Sequence, residues 1–172
     1  MIILPWERAE EETHMSKTLV AYFSATGRTK ILASTLASVV KGELFEIIPK
    51  QPYSVADLNW QEKTSRSSVE MEDRASRPEI ALTVENMDQY DTVFVGFPIW
   101  WYREPSIIDT FMESYDFSGK TVIPFATSGG SRMGDSSKNL QELAPGAKVE
   151  EGKRMLAGSS VDEIESWAQK WM

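Results

Sequence analysis

Six consecutive residues, Ser24-Ala25-Thr26-Gly27-Arg28-Thr29, carry the densest chemical signal in the chain. Three hydroxyls, a glycine and a cation stand just ahead of a helical pattern. The first N–H groups of a helix lack intrahelical partners, and the helix dipole favours negative charge there. Gly27 lets the backbone approach a ligand closely. Ser24, Thr26 and Thr29 can donate O–H bonds to phosphate oxygens. Capping alone needs one Ser or Thr, so the cluster points to phosphate binding. The Walker pattern G-x-x-x-x-G-K-[ST] and the dinucleotide pattern G-x-G-x-x-G are both absent.

Two further stretches suit a flat ring. In Pro98-Ile99-Trp100-Trp101-Tyr102-Arg103, adjacent indoles on an extended backbone point in different directions. One can then stack on a planar polarisable ligand, worth about 0.5–1.5 kcal/mol beyond area burial, while the other packs or forms a rim. In Thr127-Ser128-Gly129-Gly130-Ser131, the paired glycines permit close backbone approach to a ring edge. Other chemistries are excluded. The chain has no Cys and one His, His14. Disulfides, thiolate nucleophiles, iron–sulfur clusters, Cys-based zinc sites and His-dependent triads therefore drop out. A chain so poor in reactive side chains borrows its chemistry from a cofactor.

The elements that must position these loops follow from periodicity. Thr18 to Phe23, Leu44 to Ile48, Thr92 to Phe97 and Thr121 to Ala126 are short, mostly apolar runs rich in strand formers, as in parallel strands covered on both faces. Pro124 sits oddly in the last of them. Ala147 to Leu156 is a weaker, bent strand. Leu32, Leu36, Val39 and Val40 share one helical face, with Gly42 as the stop. Pro105 opens a helix bearing Ile107, Ile108, Phe111 and Met112. A helix covers Ser136 to Leu143. Ser160 and Glu163 make a capping box before Val161, Ile164, Trp167, Ala168 and Trp171, where the Trp pair is core packing. Alternation of this kind predicts an α/β fold, a parallel sheet with helices on both faces. Ligands bind such sheets beyond the carboxyl ends of the strands, where all three loops fall.

Together these motifs resemble the flavodoxin family. Ser24-Ala25-Thr26-Gly27-Arg28-Thr29 matches its [ST]-x-T-G-x-T mononucleotide loop, and the stretches from Gly96 to Trp101 and from Phe125 to Ser131 look like its second and third flavin loops. The resemblance covers roughly residues 16–172. It implies a flavodoxin-like three-layer sandwich, with a five-stranded parallel sheet in the order 2-1-3-4-5, and FMN at the switch point. It implies that Ser24, Ala25, Thr26, Gly27, Arg28 and Thr29 hold the phosphate. Pro98, Ile99, Trp100, Trp101 and Tyr102 would line the ring, and Thr127, Ser128, Gly129 and Gly130 would meet its pyrimidine edge. Relatives with the Trp-Trp pair commonly place Gly next. Here Tyr102-Arg103 follows, which makes a peptide flip at the ring less easy. Arg103 and Arg132 stand by the ring loops, either near the flavin or in solvent.

The 172 residues fit one domain. Residues 1–14 are expected to be a flexible acidic leader, and 15–172 the FMN-binding domain. An irregular insertion at 49–80 is too long for an idle connector. The net charge of −8 disfavours nucleic acid as a partner and suits redox partner proteins with a basic docking face. The longest apolar run, Val93 to Trp101, falls far short of the roughly 20 residues needed to span a membrane. A cytoplasmic monomer or homodimer is expected. The leading function is FMN-based electron transfer. Open beside it are an FMN-dependent NAD(P)H or quinone oxidoreductase on the same fold, and a binding module without FMN.

Overall fold

The computed structural model describes residues 17–172; the expected leader at 1–14, with His14, lies outside them. Six strands, β1 (Lys17–Tyr22), β2 (Glu43–Glu46), β3 (Tyr90–Pro98), β4 (Thr121–Thr127), β5 (Lys148–Val149) and β6 (Lys153–Arg154), form one parallel sheet. Its order is β2-β1-β3-β4-β5, with β6 also paired to β4. This is the expected order 2-1-3-4-5, with the fifth strand in two pieces. The helices are α1 (Arg28–Val40), α2 (Arg66–Glu72), α3 (Ser106–Glu113), α4 (Ser136–Leu143) and α5 (Val161–Ala168).

Alternation along the strands divides the core in two. Leu19, Ala21, Val93, Val95, Phe97, Val122 and Ala126 pack with Ile107, Ile108, Phe111 and Met112 of α3 and Leu140 of α4. Val20, Tyr22, Phe94, Ile123 and Phe125 pack with Leu32 and Leu36 of α1 and with Ile164 and Ala168 of α5. Both faces of β1, β3 and β4 are covered, which is why these strands read as continuous apolar runs. Each fully buried Leu, Ile or Phe contributes about 1.5–3 kcal/mol, so burial outweighs the indifferent helix propensity of the β-branched and aromatic residues in α3. Trp167 and Trp171 both meet the Phe94 ring edge-on, as core packing requires. Val161 departs from the expected face and is exposed, because it opens α5 before the helix reaches the sheet.

The break in the fifth strand has a cause on β4. The carbonyls of Lys120, Val122 and Ala126 accept from Lys148, Glu150 and Met155. Pro124 belongs to the same alternating set, so its missing N–H faces the fifth strand. The detour between β5 and β6 lies opposite this residue. At the end of α1 the left-handed residue is Lys41, not Gly42. Gly42 follows it, and its N–H reaches back to the Ala37 carbonyl at 2.9 Å.

The stretch at 49–80 is an excursion tied at its base. Lys50 N–H donates to the Glu79 carbonyl, and Ala81 N–H to the Ile48 carbonyl. It contains α2, whose entry is capped by Ser65 accepting from Ser68 N–H. Only Ser67, Ser68 and Met71 of α2 are buried, so the helix shows almost no apolar period in sequence.

Candidate functional site

The loop after β1 is built from its own residues. Gly27 adopts φ 92° at the start of α1, a left-handed conformation that suits glycine. Ser24 Oγ accepts from the N–H groups of Gly27 at 3.1 Å and Lys30 at 3.2 Å. Its hydroxyl hydrogen is left to donate. The first turn carries no carboxylate; Arg28 and Lys30 supply positive charge, and both are exposed. Thr29 is buried, and its hydroxyl is 2.8 Å from that of Thr127 at the end of β4. Thr29 therefore ties the first loop to the third, with its backbone N–H in the first turn of α1.

The loop after β3 is a tight turn. Trp100 N–H donates to the Arg103 carbonyl at 3.0 Å, and Arg103 N–H returns to the Trp100 carbonyl at 3.2 Å. The two central residues, Trp101 and Tyr102, have φ of 47° and 65°. Such paired positive values define a type I′ turn, usually filled by Asn and Gly. The Tyr102 carbonyl accepts from Asp135 N–H at 3.0 Å. A Cβ on Gly134 would stand 1.9 Å from that carbonyl oxygen, so only glycine lets the third loop close on the second.

The turn separates the two indoles. Trp100 faces inward, with Phe23 and Tyr53 each 5.6 Å from its ring in edge contacts. Tyr53 comes from the 49–80 excursion. Its hydroxyl donates to Glu70, and the Arg66 guanidinium lies 3.8 Å above its ring. Burial and the Glu70 carboxylate push the Tyr53 phenol far above its ordinary value, so it stays neutral. Trp101 and Tyr102 are 43% and 71% exposed. Trp101 lines a second cleft of about 540 Å³ with Trp60, Gln61, Lys63, Ser68, Met71 and Glu72.

A cleft of about 340 Å³ lies beyond the strand ends, between the loops after β1, β3 and β4. It brings together Thr26, Arg28, Pro98, Ile99, Trp100, Thr127, Ser128 and Gly129 of the expected residues. Ser24, Gly27 and Thr29 are not among its lining residues and shape the loop that borders it. Ala25 packs against the core instead. Trp101 and Tyr102 lie outside on the rim, and Gly130 is exposed. Sequence reading missed Met155, Leu156 and Ala157, which complete the wall. It also missed Arg154, whose Nε donates to Ser128 Oγ at 3.1 Å and Nη2 to the Ser128 carbonyl at 3.2 Å. The signal was topological: the end of the fifth strand must adjoin the loop after β4. Arg103 does neither of the two things expected of it. It is buried, donating to the carbonyls of Glu104 and Met71, because the turn directs it under the loop. Arg132 is exposed.

This donor set fits a phosphate ester joined to a planar ring. Helix-start N–H groups, Ser24, Thr26 and Arg28 suit the anion. Pro98, Ile99 and Trp100 give an apolar wall, and the loop at Gly129 is open. Fold and cleft together define a mononucleotide-binding α/β protein.

The family model described as Flavodoxin matches residues 17–171. The chain belongs to the flavodoxin family. It is similar to a candidate flavoprotein from Bacteroides eggerthii, with 48% identity over 90% of this chain and 97% of that one, TM-score 0.85. A candidate flavoprotein from Bacteroides uniformis is 49% identical over 90% and 98%, also with TM-score 0.85. A Lactobacillus acidophilus flavoprotein, solved in complex with FMN, is 25% identical over 91% and 98%, TM-score 0.72. No curated protein matches the chain.

Proposed function

We propose that this chain binds FMN without a covalent link and passes electrons between partner proteins. The observation that carries the reading is the convergence of three loops, after β1, β3 and β4, on one cleft. The FMN complex of the Lactobacillus acidophilus relative supports it. When bound, FMN supplies the redox chemistry. The residues of the chain bind and orient. The start of α1, Ser24, Thr26 and Arg28 hold the phosphate, while Pro98, Ile99 and Trp100 wall the ring and keep water from that side. Thr127, Ser128 and Gly129 meet its polar edge, with Ser128 fixed by Arg154. No side-chain acid, base or nucleophile is needed.

The exposed Trp101 and Tyr102 put a contact surface at the rim, as electron exchange between proteins requires. The charge of −8 suits redox partners with a basic face. A cytoplasmic carrier, monomeric or homodimeric, is part of the proposal. Among the described residues no helix is long and apolar enough to cross a membrane.

A second reading, an FMN-dependent NAD(P)H or quinone oxidoreductase, is favoured by the second cleft beside Trp101, which could seat a small substrate. The two separate by assay of the FMN-loaded protein. A carrier is reduced only through a separate reductase. Steady-state turnover of NADPH with a quinone by the isolated protein would overturn the carrier and select the enzyme.

A further inference from the structure

Beneath the loop after β3 lies a group of buried charges that flavin binding does not use. Glu104 and Asp109 are both fully buried. Glu104 Oε1 and both carboxyl oxygens of Asp109 lack a hydrogen-bond donor among the described residues. Cations are near, but the hydrogen bonds that they make go to other acceptors. Arg103 Nη1 is 3.9 Å from Glu104 Oε1 and 3.7 Å from Asp109 Oδ2, yet it donates to the Glu104 carbonyl. Arg77 Nη1, from the 49–80 excursion, is 3.8 Å from Asp109 Oδ2 and donates to the carbonyls of Arg74 and Ser76. Arg74 faces the pair from the same excursion but donates to Asn139 Oδ1. From α4, Asn139 Nδ2 donates to Glu104 Oε2 at 3.2 Å.

Two ionised carboxylates in this place would be costly, because buried charge needs good hydrogen bonds as well as counter-charge. Arg77 is shared between Asp109 and the exposed Asp73 and Glu113, so the cations beside the pair are not all free to answer a charge on Glu104 as well. One proton on Glu104, directed at Asp109, removes that charge and supplies a donor to the pair.

We propose that Glu104 is a positioning residue which shares one proton with Asp109, and that this proton locks the Trp100–Arg103 turn. The link to the turn is Arg103. Its backbone closes the turn on Trp100, and its side chain is pinned to the Met71 carbonyl at 3.0 Å. An ionised Glu104 would draw that guanidinium off Met71 and free Trp101 and Tyr102. Burial first, and the Asp109 charge second, push the Glu104 carboxyl from 4.5 up to about 8. Burial also raises Asp109. The native state thus holds more protons than the unfolded chain between these values. Stability is full below about pH 4.5, is lost as pH rises towards about 8, and is level above that.

The lock needs no ligand; that it also governs FMN affinity rests on the proposed function. The test uses flavin-free wild-type protein with Glu104→Gln, Asp109→Asn and Trp101→Phe, followed from about pH 5 to about pH 9. Wild-type tryptophan fluorescence should change with a midpoint near pH 8, and the change should vanish in Glu104→Gln and in Trp101→Phe. The wild-type urea midpoint should fall across this range while that of Glu104→Gln stays level. Parallel behaviour of wild type and Glu104→Gln in both measurements overturns the proposal. If Glu104→Gln and Asp109→Asn fail to fold, the wild-type infrared spectrum decides. A protonated-carboxyl band lost near pH 8 supports the shared proton, and its absence overturns it. FMN should bind several-fold more weakly above pH 8 in wild type only. If FMN binds at no pH, the cofactor reading fails while fluorescence and urea still decide this one.

Discussion

The loop after β1 and the loop after β3 border the same cleft but are held by opposite means. The first is local. Its left-handed residue is Gly27, and its cap, Ser24, lies within six residues of both N–H groups it serves. The second places Trp101 and Tyr102 in left-handed conformations with no glycine. Such residues cost about 1–3 kcal/mol each and persist only where their surroundings over-determine them. Here the surroundings are distant in sequence: Asp135 on the Tyr102 carbonyl, Gly134 beneath it, and Met71 holding Arg103. An anion site can be written into six residues, whereas a rigid rim must be assembled from the whole fold.

Substitutions can break this contrast in order of effect. Gly134→Ala should be the most severe, since its Cβ cannot fit under Tyr102 and φ is 58°. A loss of about 3 kcal/mol or more is expected in urea unfolding. Gly129→Ala, with open space around it, should stay within about 0.5 kcal/mol of wild type. Thr29→Val should cost about 1–2 kcal/mol by leaving the buried Thr127 hydroxyl without its partner. The double variant with Thr127→Val should cost less than the sum, because both partners go together. Ser24→Ala should cost about 1 kcal/mol, the ordinary worth of a cap, and should weaken FMN binding in a fluorescence titration. Tyr102→Gly should be small and of opposite sign. Relief of the left-handed conformation is offset by about 0.5–1 kcal/mol of added chain entropy, leaving a gain below about 1 kcal/mol in urea unfolding.

The same contrast explains what could be read in advance. Strands β1, β3 and β4 announce themselves because both their faces are buried, and α4 falls on its expected bounds, Ser136–Leu143. Even Pro124, odd for a central strand, is explained once the split fifth strand lies opposite it. The phosphate loop was legible because its chemistry is local. Helix α2 was not, since Ser67, Ser68 and Met71 are its only buried residues. The roles of Arg154 and Arg103 were hidden for another reason. Each acts through backbone carbonyls or hydroxyls far along the chain, and no spacing rule reports such contacts. The Gly129-Gly130 pair invited an argument from close approach, yet the glycine that close approach requires in this loop is Gly134.

The central claim is that the cleft holds FMN through its phosphate at the start of α1. Thermal unfolding with excess FMN, set beside riboflavin, tests this most directly. FMN at about a hundred times its dissociation constant should stabilise the fold by about 2.7 kcal/mol. Riboflavin, which lacks the phosphate, should give a clearly smaller shift, and Thr26→Val should narrow the difference between the two. No shift with FMN, or equal shifts with both flavins, would contradict the account.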